Sequence, residues 1–215
     1  MEFRTLRADE IDCRVNTINE KGLTLLLYKD ARVDMNLLDE TVGSMNWQRD
    51  HKELKGNIYC GISIWDSEKK QWVTKWDCGK ESFSDSEKGE SSDSFKRAGF
   101  NIGIGRELYT SPFIWISKDN CNIQPKGDKY TTYDSFRVKT IGYDKDRNIN
   151  ELVIVNTKTN KVVYKMGEKP ITDEQKELIK KKFSMEDIKA ILEDFDKPKL
   201  SALTELEAKA ILDEE

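Results

Sequence analysis

Two stretches of the chain alternate apolar and polar residues. They are residues 58–65 (IYCGISIW) and 72–79 (WVTKWDCG), separated by the polar sequence DSEKKQ. Period-2 alternation on both sides of a polar turn predicts an antiparallel hairpin. The same argument predicts a second hairpin over residues 151–166, turning at 156–161. Further extended segments are predicted at residues 23–28, 112–117 and 132–144.

Helical patterns occupy other parts of the chain. Residues 5–19 carry Leu6, Ile11 and Val15 at roughly helical spacing and predict a first helix. Residues 35–43 predict a short helix that ends at glycine. After Pro170, residues 172–215 predict about three amphipathic helices. Threonines are expected to cap the N-termini of the first and the last of these helices.

The stretch SSDSFKRAGFNIGIGRELY, residues 91–109, predicts a central helix after a Ser/Glu/Lys-rich connector at 80–90. At about 100° per residue, Ala98, Gly99 and Ile102 share a face with Phe95. Glycine in a helix interior costs about 1 kcal/mol against alanine, so we interpret Gly99 as allowing close approach to a sheet. Two further glycines, at 103 and 105, end the helix.

The opposite face of this helix carries Asp93, Lys96, Arg97 and Phe100. One interpretation is a solvated surface with an Asp93–Arg97 ion pair, worth a few tenths of a kcal/mol. The other is a binding site, because an aromatic ring beside two cations on the far side of a helix needs a partner. Residue chemistry leaves both interpretations open.

These elements together predict an α+β fold: an antiparallel sheet of hairpins packed on a central helix, plus a small C-terminal helical module. The predicted division is residues 1–170 and 171–215. The five tryptophans are expected mainly in the core.

The net charge of −4 is unevenly distributed. Residues 172–215 hold 8 lysines and 13 carboxylates, which leaves 28 cations and 27 anions in the other 171 residues. An acidic tail thus follows a near-neutral body, and a near-neutral body is compatible with a basic groove.

Catalytic and metal-binding patterns are weak. The four cysteines stand far apart and His51 is the only histidine, so we expect no metal site and no cofactor. Serines 91, 92 and 94 have only His51 as a base, and the acids at 81, 85, 87, 90 and 93 are typical of a solvated charge run. The chain is therefore expected to bind rather than to catalyse.

Two segments carry a family resemblance. The first is YKDARVDMNLLDETVGSMNW, and the second is SDSFKRAGFNIGIGRELY; a hairpin closing on WDCG lies between them. The matching positions are Asn36, Leu37, Glu40, Gly43 and Trp47 in the first, and Lys96, Arg97, Ala98, Phe100 and the glycines in the second. Residues 4–116 thereby resemble the Rad fifty-two family of single-strand annealing proteins, in its phage and prophage form.

The resemblance implies a homo-oligomeric ring that binds single-stranded DNA in a basic outer groove and anneals complementary strands without ATP, in recombination and repair. It implies that Lys96 and Arg97 contact the DNA backbone. Arg32, one position from a family arginine, and Lys29 on the same turn are further candidates. Phe100 is expected at a subunit interface or on the groove floor.

The acidic module falls outside the resemblance. Analogy with phage annealing proteins suggests that it docks a single-strand-binding protein or an exonuclease; packing on its own ring is the alternative. No apolar run approaches about 18 residues and the start does not resemble a signal peptide, so no membrane contact and a cytoplasmic location are expected. The resemblance implies that the cell is a bacterial host. A metal-dependent nuclease using acids near 85–93 and a DNA-independent oligomeric scaffold remain alternative functions.

Overall fold

The structure, a computed structural model, describes residues 1–79, 86–167 and 170–213, except for the side chains of residues 86–88. It divides into two compact units. The first comprises Met1–Asp12 and Leu27–Ser111, and the second Cys13–Leu26 and Pro112–Glu215. The predicted α+β class is confirmed. The compact units do not follow the predicted boundary at residue 170, because the C-terminal helices belong to the same unit as the larger sheet.

The strands of the described residues are β1 (Asp12–Asn19), β2 (Gly22–Tyr28), β3 (Trp47–Leu54), β4 (Asn57–Asp66), β5 (Gln71–Cys78), β6 (Ile114–Ser117), β7 (Gln124–Lys126), β8 (Lys129–Thr131), β9 (Phe136–Tyr143), β10 (Ile149–Asn156) and β11 (Val162–Met166). The helices are α1 (Ala31–Val42), α2 (Ser86–Ile102), α3 (Asp173–Lys182), α4 (Met185–Asp194) and α5 (Glu205–Asp213). Within these ranges no helix is long and apolar enough to span a membrane.

The first unit is built on the antiparallel sheet β3-β4-β5, with α2 on one face. The predicted hairpin at 58–79 is confirmed as β4 and β5. Alternate residues of β4 point toward α2, and there Cys60, Ile62 and Ile64 are buried. The sequence alternation of this strand thus reflects one covered and one open face.

Strand β3 was not predicted, because its α2-facing positions are mostly polar. Trp47 stacks on Phe95 of α2, and the Arg49 guanidinium lies 5.0 Å from the same ring centroid. His51 Nε2 lies 3.2 Å from the hydroxyl of Ser91. A strand that packs through arginine and histidine shows no hydrophobic alternation.

The open face of this sheet carries tryptophans that were expected in the core. Trp65 and Trp72 face each other across β4 and β5, edge to face at 5.5 Å, and are 41% and 42% exposed. Trp76 covers Gly61, where an added Cβ would lie 2.6 Å from the indole, and Lys52 lies 4.4 Å from the Trp76 ring centroid. The core prediction is wrong for Trp65 and Trp72, which stabilise the hairpin as a cross-strand pair. It is also wrong for Trp115 on β6, which is 38% exposed.

The predicted first helix at residues 5–19 is also wrong. Only Ala8–Glu10 is helical, as a single 3-10 turn, and β1 begins at Asp12. The Asn19 side chain accepts hydrogen bonds from the backbone nitrogens of Lys21 and Gly22, at 2.8 and 3.2 Å, which closes the turn into β2. Of the three apolar residues at helical spacing, only Val15 lies in β1, whereas Leu6 and Ile11 flank the 3-10 turn.

The second unit is built on a six-stranded sheet in the order β11-β10-β9-β1-β2-β6. The predicted hairpin at 151–166 is confirmed as β10 and β11. Strand β10 is almost entirely buried, with Leu152, Ile154 and Val155 at 0% exposure. The hairpin belongs to this unit, whereas α2 belongs to the first unit, so one sheet packed on the central helix is not confirmed as predicted.

The three predicted C-terminal helices are confirmed as α3, α4 and α5. Thr172 and Ser184 cap the first two helices through capping boxes. Their shared core is formed by Ile171, Ile179, Ile188, Leu203, Ala208 and Ile211. Helix α5 packs against β9, and the Lys139 ammonium lies 4.3 Å from the Phe195 ring centroid. The module therefore packs on the sheet of its own unit.

The register of edge strand β11 can be tested with two adjacent valines. Val163 is 8% exposed and Val162 is 50% exposed. Val163→Ala removes buried methyl groups and should lower the free energy of unfolding by about 1–2 kcal/mol. Val162→Ala should lower it by no more than about 0.5 kcal/mol. Urea denaturation followed by circular dichroism measures both values, and equal effects would contradict this register.

Candidate functional site

Helix α2 is anchored in the first unit along one side. Phe95 and Ala98 are buried, with Phe95 stacked on Trp47 at 6.3 Å between ring centroids. Gly99 is also buried and Ile102 is half-buried, so the predicted packing face is confirmed. The helix starts earlier than predicted, at Ser86; residues 80–85 of the predicted connector lie outside the described residues.

The other side of α2 presents Lys96 and Arg97, both partly exposed. Within the described part of the chain, the Lys96 ammonium has no carboxylate within ion-pair distance. Arg97 Nε lies 3.4 Å from Asp77 Oδ1 on β5, and its side chain is 39% exposed. The carboxylate found beside Arg97 is thus Asp77, rather than the Asp93 considered from the sequence.

The Asp77 carboxylate accepts hydrogen bonds from several donors. Its Oδ1 accepts from the backbone nitrogen of Cys78 at 2.7 Å, and its Oδ2 accepts from Asn101 at 3.2 Å. The Arg97 terminal nitrogens make no hydrogen bond to any described residue. Asp77 therefore interacts with Nε of Arg97, while the two terminal nitrogens, which bind phosphate best, remain available.

Arg32 stands in the first turn of α1 with its side chain 79% exposed. Its Nε donates to Asp30 Oδ1 at 2.8 Å, and Asp30 also caps the helix by accepting from the Arg32 backbone nitrogen. The helix dipole adds positive potential at this end. Arg32 is thus accessible to a ligand, although Asp30 offsets part of its charge.

Lys29 does not reach the surface. It is 2% exposed, and its ammonium pairs with the buried carboxylate of Asp34 in α1. Burial lowers the pKa of Lys29 and raises the pKa of Asp34 to about 6. The prediction that Lys29 contacts DNA is therefore wrong for this structure, because its ammonium has no path to a phosphate.

Two glycines leave room for this buried pair. An added Cβ on Gly99 would fall on Asp34 Oδ1, and one on Gly105 would lie 2.6 Å from Lys29 Cε. Gly99 thus allows close approach of α1, and the predicted approach of a sheet is wrong. Gly103 and Gly105 have φ of 111° and 71°, which confirms that they end α2 in a conformation that favours glycine.

Phe100 has its neighbours within its own chain. Its ring centroid lies 4.8 Å from that of Tyr109, and the Lys29 ammonium lies 4.4 Å from it. Tyr109 is itself 71% exposed. These contacts leave Phe100 half-buried beside Lys96, and its role at a groove floor or a subunit interface stays a prediction.

Arg106 was missed in the sequence. Its Nε donates to the carbonyl of Phe100 at 2.6 Å, and its Nη2 to that of Asn101 at 2.9 Å. It is exposed and satisfies the last carbonyls of α2. An arginine directly after the helix-ending glycines is the signal that would have indicated this role.

The acids considered for metal catalysis have other surroundings. Glu90 is buried and accepts from the backbone nitrogen of Ile58 at 2.7 Å. Residues 81 and 85 lie outside the described residues, as does the side chain of residue 87. Across the described ranges, no group of three or more His, Cys, Asp and Glu side chains is placed to hold a metal ion.

Comparison of the chain with protein-family models, with curated proteins and with solved structures finds no match. The function of this site must therefore be inferred from its residues and their geometry.

The close approach of α1 and α2 can be tested by Gly99→Ala. By helix propensity alone this change would raise the free energy of unfolding by about 1 kcal/mol, whereas overpacking against Asp34 would lower it by about 1–3 kcal/mol. We expect a net loss of stability in thermal or urea unfolding. Ser92→Ala, at a partly exposed position of α2, is the control and should change stability little. A stabilising Gly99→Ala would contradict the described packing.

Proposed function

We propose that the protein binds single-stranded DNA through the exposed side of α2 and the N-terminus of α1, and promotes ATP-independent annealing of complementary strands. The observation that carries this proposal is the adjacent pair Lys96–Arg97 on a helix whose opposite side is anchored. Lys96 has no carboxylate partner among the described residues, and the terminal nitrogens of Arg97 remain available for a ligand.

This arrangement suits the phosphate backbone better than the bases. Cations bind phosphates by releasing counterions, with a log–log salt slope of about −0.7 for each phosphate neutralised on a single strand. Stacking on aromatic rings, worth about 1–3 kcal/mol per base, would hold bases and oppose their pairing. Phe100 already packs on Tyr109, which fits a groove floor rather than a stacking platform.

The resemblance to single-strand annealing proteins supports the same function. The two segments that carry it fall on α1, the start of β3, and α2, all in the first unit. Gly43 ends α1 with φ of 84°, and Trp47 joins the segments by donating to Asp39 at 2.7 Å while stacking on Phe95. The resembling residues thus form one connected part of the structure.

An oligomeric ring is part of the proposal. A near-neutral body binds a polyanion weakly as a monomer, and a ring would join each short basic strip into a continuous groove. The biological setting proposed is recombination and repair in a phage or prophage, with the C-terminal module docking a single-strand-binding protein or an exonuclease.

The site is tested by replacing Lys96 and Arg97 together with alanine. Affinity for oligo-dT at about 0.1 M salt should fall at least about 10-fold, and the log–log salt slope should lose about 1.4. Annealing of complementary oligonucleotides without ATP should slow in parallel. The matched control is Lys180→Ala with Lys181→Ala, which removes two adjacent exposed cations from α3.

Other outcomes separate the alternatives. A Lys96/Arg97 variant that binds like the wild type would contradict the site. A wild-type protein that does not bind oligo-dT at low salt would contradict the function and favour a DNA-independent scaffold. Degradation of the DNA on adding magnesium or manganese would favour a nuclease.

A further inference from the structure

The buried ions Lys29 and Asp34 have no direct role in phosphate binding, yet they lie directly behind the proposed site. The Lys29 ammonium pairs with Asp34 and points at the backbone of α2, 3.5 Å from the carbonyl oxygen of Lys96. It also lies 4.4 Å from the Phe100 ring centroid. One buried cation thus joins α1 to the turn of α2 that carries the proposed DNA contacts.

We propose that Lys29 and Asp34 are positioning residues, which hold α2 against α1 so that Lys96 and Arg97 are placed together for DNA. This inference rests on the proposed function of those two cations. On this account, single-strand affinity depends on two side chains that DNA does not touch.

Stability alone is a poor explanation for the pair. Asp34 is 0% exposed, and its Oδ2 has no hydrogen-bond partner among the residues that the structure describes. Removing two charges from water is costly, and replacing a buried ion pair by apolar residues of similar shape is often neutral or stabilising. The pair therefore fixes the position of α2 rather than raising stability. An apolar contact would allow α2 to shift along α1, whereas the Lys29 ammonium interacts with one particular carbonyl, that of Lys96.

The charged groups around the pair come from three segments. Asp34 faces Lys29 from α1, Lys96 lies near both from α2, and Glu107 approaches from the segment after α2. Glu107 is 2% exposed and accepts from the Leu6 backbone nitrogen at 2.7 Å. The Lys29 ammonium is thus enclosed by groups that fix its direction.

The test is the double variant Lys29→Met with Asp34→Leu, which replaces the pair by apolar side chains of similar shape. We expect a thermal midpoint close to that of the wild type, about a 10-fold weaker affinity for oligo-dT, and a smaller salt slope. A merely structural pair would lower the midpoint and leave the slope unchanged.

A matched control removes another partly buried ion pair in the second unit. Lys197 and Glu207 lie 3.1 Å apart with side chains 13% and 9% exposed, and Lys197→Met with Glu207→Gln should leave DNA affinity unchanged. If the Lys29/Asp34 double variant is folded and binds like the wild type, the inference is overturned. If the wild type itself does not bind oligo-dT, the proposed function fails instead.

Should the double variant fail to fold, Gly99→Ala provides the second test. It moves α2 away from Asp34 while keeping every charge, so affinity per folded molecule should fall several-fold. Unchanged affinity in folded Gly99→Ala would overturn the positioning role.

Discussion

The position of α2 against α1 in the first unit depends on one buried interaction, the ion pair between Lys29 and Asp34. Both side chains are almost fully buried. A side chain larger than glycine at position 99 would displace Asp34, and one at position 105 would displace Lys29. A charged pair withdrawn from water is costly, so its surroundings must match it closely. The backbone carbonyl of Lys96 and the ring of Phe100 complete those surroundings, so the display of the α2 cations follows from the packing beneath them.

The four cations considered from the sequence thereby divide into two kinds. Lys29 is an internal group that acts on the position of α2. Arg32, Lys96 and Arg97 remain accessible, and the nearby carboxylates of Asp30 and Asp77 bind the Nε atoms of the two arginines rather than their outer nitrogens. This arrangement favours phosphate contacts made by an ordered strip of cations, and it is the physical basis of the proposed single-strand binding.

Local patterns predicted much of the fold. The two hairpins, α1 and the capped C-terminal helices depend on alternation, capping and glycine, which are local properties. Strand β3 shows no hydrophobic alternation because Arg49 and His51 face α2. The sequence wrongly predicts a helix over β1 because Leu6, Ile11 and Val15 follow roughly helical spacing. The faces of α2 were predicted, but the burial of Lys29 was not, because it depends on an aspartate and two glycines brought together only by the tertiary fold.

The most direct test of the central claim is the chemical reactivity of individual lysines, measured by acetylation and mass spectrometry with and without saturating oligo-dT. Lys96 should react in the free protein and become several-fold protected when DNA binds. Lys29 should stay unreactive in both states, and Lys180 and Lys181 should react equally in both. Bound DNA that leaves the reactivity of Lys96 unchanged would contradict the account.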